Sequence, residues 1–149
     1  MDWPGRFQVV DCGGAVYILD GAHNLEAVKA FVDTFSRSPF KDRDAVFVVG
    51  LLNDKDHMGI LRILAPHVSK AVFTRPLSEK ALDVYALADE FSRLRPEAEI
   101  EVQEDIEAAL TAGSRTGTAV VLGSFYLVGS ALSILRSKLD DPVINSNRK

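Results

Sequence analysis

Cysteine is almost missing from this chain. Cys12 is the only one in 149 residues, so no internal disulfide can form and nothing points to an oxidising compartment. A lone thiol of this kind is expected to be buried and inert. Long apolar runs are missing too: none approaches the roughly 18 residues that a membrane span needs. The polar, proline-containing start MDWPGRF does not have the form of a signal peptide, so no membrane partner is expected and the expected location is the cytoplasm. Basic excess is also lacking. The net charge is −4, which gives no reason to expect nucleic acid or acidic lipid as a partner, since both rely on a basic surface. There is no G-x-x-x-x-G-K-[ST] phosphate loop, and GSFYL lacks the second glycine of the G-x-S-x-G elbow, which argues against a serine esterase. If the chain touches ATP, something else must cradle most of it. No internal repeat, low-complexity tract or linker divides the sequence.

What remains is the composition of a globular domain, 47% hydrophobic and 26% charged. A chain of this length folds as one domain and buries on the order of two thirds of its extended surface. RFQVVDCGGAVYILD reads as two strands joined at Cys12-Gly13-Gly14, where glycine permits the positive φ of a tight hairpin. Leu25, Val28, Phe31, Val32 and Phe35 then recur at helical spacing, with Asn24 as cap and Glu26 in the first turn. DAVFVVGLL is a β-branched apolar run, expected to be a strand covered on both faces and to end at Asn53-Asp54.

KDHMGILRILAPH predicts a helix with Met58, Leu61, Leu64 and Ala65 inward, broken by Pro66, and KAVFT predicts another buried strand. A third helix is expected to open near Ser78, with Val84, Leu87, Phe91 and Leu94 on one stripe. EIEV reads as a short, more exposed strand. A fourth helix over 104–112 stops at Gly113, TGTAVVLGS supplies the last buried strand, and Val128, Leu132, Leu135 and Leu139 face the core from a final helix. The tail DDPVINSNRK has too little apolar content to pack and is expected to be flexible. Strand followed by helix, four times after a hairpin, predicts a three-layer, Rossmann-like α/β domain. Its sheet would be mostly parallel, with an N-terminal antiparallel hairpin and helices on both faces.

In such sheets ligands gather beyond the carboxyl ends of the strands. Three loops there carry chemically loaded residues. In DGAHN, Asp20 ends a strand while His23 and Asn24 open a helix whose unpaired amides favour an anion such as phosphate. Asp20 as a turn residue and Asn24 as a cap would be ordinary, but His23 has no duty in that reading. In LLNDKDH, Lys55 stands between Asp54 and Asp56, an ammonium suited to phosphate or carboxylate. The spacing of Asp54, Asp56 and His57 matches no strong metal motif, so no metal site is assigned to this chain. In LGSFY, Ser124 offers a hydroxyl that could equally cap a helix, followed by Phe125 and Tyr126. Arg6, in WPGRF, could pair bidentately with a phosphate, with Trp3 as an anchor; an arginine there is otherwise simply solvated. His67, beside Pro66, reads as a surface residue.

Taken in order, WPGRF, ILDGAHN, GLLNDKD and VLGSFYLVG resemble the C-terminal domain of folylpolyglutamate synthase and dihydrofolate synthase, members of the Mur ligase superfamily. The match runs from Trp3 to about Leu135. The resemblance implies a Mur ligase-type glutamate ligase domain over 1–139, with 140–149 as tail. It also implies an ATP-dependent ligase in which a central domain, absent here, carries the phosphate loop and magnesium ligands. ATP would phosphorylate a folate or dihydropteroate carboxylate, and L-glutamate would displace phosphate to form an amide.

On that resemblance Arg6, Asp20 and His23 would contact the nucleotide, Arg6 at a phosphate and Asp20 at the ribose. Lys55, Ser124, Phe125 and Tyr126 would line the amino-acid or γ-phosphate side, with Lys55 and His23 the catalytic candidates. The family usually has proline where this chain has Leu25, a change that affects preorganisation of the helix and no chemical role. With the central domain absent, the chain alone is expected to bind nucleotide weakly and to turn over nothing. A free-standing module binding a nucleotide or small anionic ligand is the alternative, and a structural protein with merely solvated loops is a third reading.

Overall fold

A computed structural model describes residues 5–53 and 55–140, and the expectations for Trp3, Asp54 and the tail beyond Asp140 lie outside them. Two strands, β1 (Gln8–Cys12) and β2 (Ala15–Asp20), open the fold as an antiparallel hairpin. Gly13 and Gly14, at φ +62° and +86°, turn the chain between them, which is why both positions of this two-residue turn are glycine. The chain continues through α1 (Leu25–Ser36), β3 (Val46–Val49), α2 (His57–Leu64), a 3₁₀ turn at Ala65–His67, and β4 (Lys70–Phe73). It then runs through α3 (Val84–Leu94), β5 (Glu99–Val102), α4 (Ile106–Gly113), β6 (Thr118–Leu122) and α5 (Phe125–Leu139).

The sheet order is β1-β2-β6-β3-β4-β5, and every pairing except the hairpin is parallel. Alternation along the central strands divides their side chains between two layers. Phe47, Val49, Val120 and Leu122 pack with Val28 and Phe31 of α1, Ile60 and Leu64 of α2, and Leu87 and Phe91 of α3. Val46, Val48, Ala119 and Val121 face the other way, against Ala109 and Leu110 of α4 and Leu127, Ala131 and Leu135 of α5. This is the three-layer α/β domain that the strand–helix rhythm predicts. Cys12 is buried in the second layer, its Sγ 3.9 Å from the Leu135 carbonyl. Among the described residues, no helix is long and apolar enough to cross a membrane.

Several boundaries differ from those read off the sequence. β3 stops at Val49, not at Asn53, because the chain beyond it leaves the sheet to pair elsewhere. Leu52 forms an antiparallel bridge with Ala81, Leu82 N–H donates to Leu51 O at 3.0 Å, and Asn53 N–H donates to Lys80 O at 2.7 Å. That pairing occupies backbone groups of residues 80–82, so α3 starts at Val84 rather than near Ser78, capped by Asp83 Oδ1, which accepts from Tyr85 N–H at 2.9 Å. α2 begins only at His57, with Asp56 as its cap, and its buried stripe is Ile60, Leu61 and Leu64 while Met58 is half-exposed. α4 likewise starts later than expected, at Ile106, capped by Asp105.

Candidate functional site

β6 is last in sequence among the strands but lies between β2 and β3. One row of the sheet runs Asp20, Leu122, Val49 across these three strands, so their carboxyl ends are level. A glycine follows each of them. A Cβ on Gly21 would lie 2.3 Å from Phe125 Cδ1, and one on Gly50 would lie 2.9 Å from the Pro76 ring. One on Gly123, at φ +120°, would lie 2.4 Å from the Gly50 carbonyl oxygen. The absence of side chains lets the three loops lie against one another at the point where strand order reverses, the place where open α/β sheets bind ligands.

The N-terminal segment is tied to the first of these loops. Gly21 N–H donates to Gly5 O at 2.6 Å, and Phe7 N–H donates to Asp20 Oδ2 at 3.1 Å. The other Asp20 oxygen, Oδ1, accepts from Ala22 N–H at 2.9 Å. Burial pushes the Asp20 carboxyl above the usual aspartate range, opposed by those two N–H donors and by the positive charge of Arg6. Arg6 itself is exposed. His23 Nδ1 lies 2.9 Å from Gly21 O. A carbonyl oxygen only accepts, so Nδ1 carries the hydrogen and Nε2 of the neutral ring remains an acceptor. The imidazole meets the Phe125 ring edge-on, centroids 5.3 Å apart. Arg6, Asp20, His23, Asn24 and Phe125 line a cleft of about 240 Å³ here.

A second cleft, of about 520 Å³, adjoins it, and His23 and Phe125 line both. Its other walls include Lys55, Ser124 and Tyr126, so all seven sequence-chosen residues line one cleft or the other: Arg6 and Asp20 the first, Lys55, Ser124 and Tyr126 the second, His23 and Phe125 both. Phe125 and Tyr126 are more than half exposed, whereas Ser124 is buried and caps α5: its Oγ accepts from Tyr126 N–H at 3.0 Å and from Leu127 N–H at 3.4 Å. The Ser124 hydroxyl hydrogen is left to donate. The second cleft also contains Ser78, Glu79 and Lys80, which the sequence reading passed over. The stretch TRPLSEK also follows the carboxyl end of a strand, a signal masked by its resemblance to a helix start.

Neighbouring polar residues have other partners. Asp56 Oδ1 accepts from Gly59 N–H at 3.0 Å as the α2 cap, and His57 Nε2 lies 3.3 Å from Glu90 Oε2 on α3. His67 is exposed. Among the described residues, no group of three or more His, Cys, Asp or Glu side chains could hold a metal ion.

The family described as Mur ligase, glutamate ligase domain matches residues 5–125, a span that holds both clefts apart from Tyr126. The chain belongs to that family. This Mur ligase glutamate ligase domain is 33% identical over 149 residues to a dihydrofolate synthase/folylpolyglutamate synthase from Mycobacterium tuberculosis, an alignment covering 88% of this chain and 30% of the relative. Among solved structures it is similar to a folylpolyglutamate synthase from Thermotoga maritima, with 31% identity and a TM-score of 0.80 over 91% of this chain and 31% of that one. It is also similar to a bifunctional folylpolyglutamate synthase/dihydrofolate synthase from Yersinia pestis complexed with AMPPNP and a Mn ion, with 26% identity and a TM-score of 0.71 over 91% of this chain and 32% of that one. The Mur ligase domain thus spans about a third of the length of these relatives.

Proposed function

We propose that this domain, over residues 1–139, is the C-terminal part of an ATP-dependent folate:L-glutamate ligase working in the cytoplasm. There it caps the nucleotide and presents glutamate to an acyl phosphate. The observation that carries the reading is the sharing of His23 and Phe125 between two adjoining clefts, one bearing Arg6 and the other Lys55. Two clefts with a common wall suit two substrates that must react with each other. The likeness to folylpolyglutamate and dihydrofolate synthases, and the AMPPNP bound by the Yersinia pestis enzyme, support this chemistry.

In this reading Arg6, Asp20 and His23 form the nucleotide edge. Lys55, Ser124, Phe125 and Tyr126 form the amino-acid side. Phosphoryl transfer from ATP to a carboxylate gathers negative charge, and cations held at the rim by Arg6 and Lys55 would lower that barrier by positioning and electrostatics. His23 donates from Nδ1 to Gly21 O, which turns Nε2 to the cleft as the nitrogen that would take the proton when the glutamate ammonium becomes an attacking amine. In this reading a central domain of the same ligase, the expected partner, would hold the Mg²⁺ that accompanies ATP.

The test is glutamate-dependent ADP release by the complete reading frame containing this chain, with a folate or a dihydropteroate as acceptor. Release that stops when glutamate or the acceptor is omitted supports the ligase. Nucleotide binding with no release under any of these conditions would favour the non-catalytic module instead.

A further inference from the structure

The backbone that carries Arg6 is held in a conformation it would not adopt unaided. Phe7, at φ +42°, is the only non-glycine residue with positive φ among the described residues, and Gly5, two positions earlier, sits at φ +76°. Such a phenylalanine costs free energy and persists only where its surroundings over-determine it. Here they do. Phe7 N–H donates to Asp20 Oδ2, Gly5 O accepts from Gly21 N–H, and Gly5 N–H donates to Gln8 Oε1 at 2.9 Å. The Phe7 ring packs on Phe31, centroids 5.6 Å apart. Arg6 is the exposed residue between these two fixed points, at the lip of the first cleft.

We infer that Asp20 is a positioning residue: its carboxylate bridges Phe7 N–H and Ala22 N–H, locking residues 5–7 onto the loop after β2 so that Arg6 is presented at a fixed angle to a bound polyphosphate. This rests on the nucleotide reading above and changes Asp20 from a ribose ligand into the clamp behind the arginine. Each Asp20 oxygen already accepts one backbone hydrogen bond, and the two donors belong to separate segments, which is what a clamp requires and a free ribose acceptor does not. Asparagine cannot replace it, because its NH₂ would face one of the two N–H groups.

The probe that separates the two roles is inorganic tripolyphosphate, which has phosphates and no ribose. Binding of tripolyphosphate and of ATP to the chain is measured by calorimetry for wild type, Arg6→Ala, Asp20→Asn and the double variant. The clamp predicts that Asp20→Asn weakens both ligands by about tenfold, as Arg6→Ala does, since one charge-assisted contact is lost in each case. It also predicts that Arg6→Ala adds almost nothing in the Asp20→Asn background. ATP weakened with tripolyphosphate unaffected, or effects that simply add, would overturn it. Should Asp20→Asn fail to fold, Gly5→Ala strains the same turn from its other end. Its new methyl meets only ordinary contacts, at 3.5 Å from Val128 Cγ1, and it should weaken tripolyphosphate while leaving Asp20 in place.

Wild type that binds ATP but no tripolyphosphate would place the nucleotide edge away from Arg6 and overturn the clamp's purpose. The clamp is also read from NMR order of the Arg6 backbone N–H bond: lost in Asp20→Asn or Gly5→Ala if Asp20 positions the arginine, and unchanged if it does not.

Discussion

Gly21 and Gly123 follow neighbouring strands, yet replacing each by alanine should have opposite consequences for fold and site. In Gly21→Ala the new Cβ would lie 2.3 Å and 2.4 Å from two atoms of the Phe125 ring. That ring is 51% exposed, so it can swing out toward water. The cost is the edge-on contact with His23, roughly 0.5–1.5 kcal/mol, and a similar amount for any off-rotamer χ angle, together about 1–3 kcal/mol. In Gly123→Ala the Cβ would lie 2.4 Å from the Gly50 carbonyl oxygen and 2.8 Å from Leu51 Cδ2, at φ +120°. Backbone cannot swing away. Positive φ strain of roughly 1–3 kcal/mol and overpacking of similar size make about 2–6 kcal/mol. Urea unfolding should therefore find Gly21→Ala folded with a slightly lower midpoint and Gly123→Ala severely destabilised or unfolded. In the same samples, the His23 and Phe125 side-chain resonances should move in Gly21→Ala. Equal destabilisation of the two variants, or an unmoved Phe125, would refute the packing argument.

Ser124→Ala removes a buried cap that accepts from two N–H groups of α5 and should cost about 1–2 kcal/mol in urea unfolding; an unchanged midpoint would deny the hydroxyl its structural role. Lys55→Met keeps the apolar stem and removes the charge, so stability should stay within about 0.5 kcal/mol while glutamate-dependent ADP release by the complete ligase falls. Asp20 gives a pH signature. Folding raises its pKa above the ordinary 3.8, so the stability it contributes is fully present below that value and is lost as pH rises through the folded pKa. The stability difference between wild type and Asp20→Asn should therefore decline with rising pH across the range above 3.8, and a difference that grows instead would contradict the burial of this carboxyl.

Local features were the most legible in the sequence. The CGG turn between two apolar runs, the Asn24 cap and the helical spacing after it all report the conformation of a few adjacent residues, and the structure has each of them. The rhythm of strands and helices was enough for the α/β class. Pairings between distant segments were not legible. Nothing in residues 51–53 or 80–82 shows that they meet, because their bridge is made by backbone groups that every residue possesses. Missing it moved the end of β3 and the start of α3, and concealed Ser78, Glu79 and Lys80 at the second cleft. The insertion of β6 between β2 and β3 was likewise unwritten, although the loops it brings together could be chosen from their chemistry. The two-sided bonding of Asp20 could not be read either, since it depends on a turn held by contacts between residues 5–7 and 20–22.

The central claim is that Arg6, Asp20 and His23 form one edge for a nucleotide while Lys55, Ser124 and Tyr126 form an adjoining place for the amino acid. Amide resonances followed during titration with millimolar magnesium-ATP, and then with L-glutamate, test it most directly. ATP should shift residues 6–7 and 20–24 together, and glutamate should then shift the loops around Lys55 and Ser124. Shifts from either ligand confined to the opposite end of the sheet, or scattered over separate faces, would contradict it.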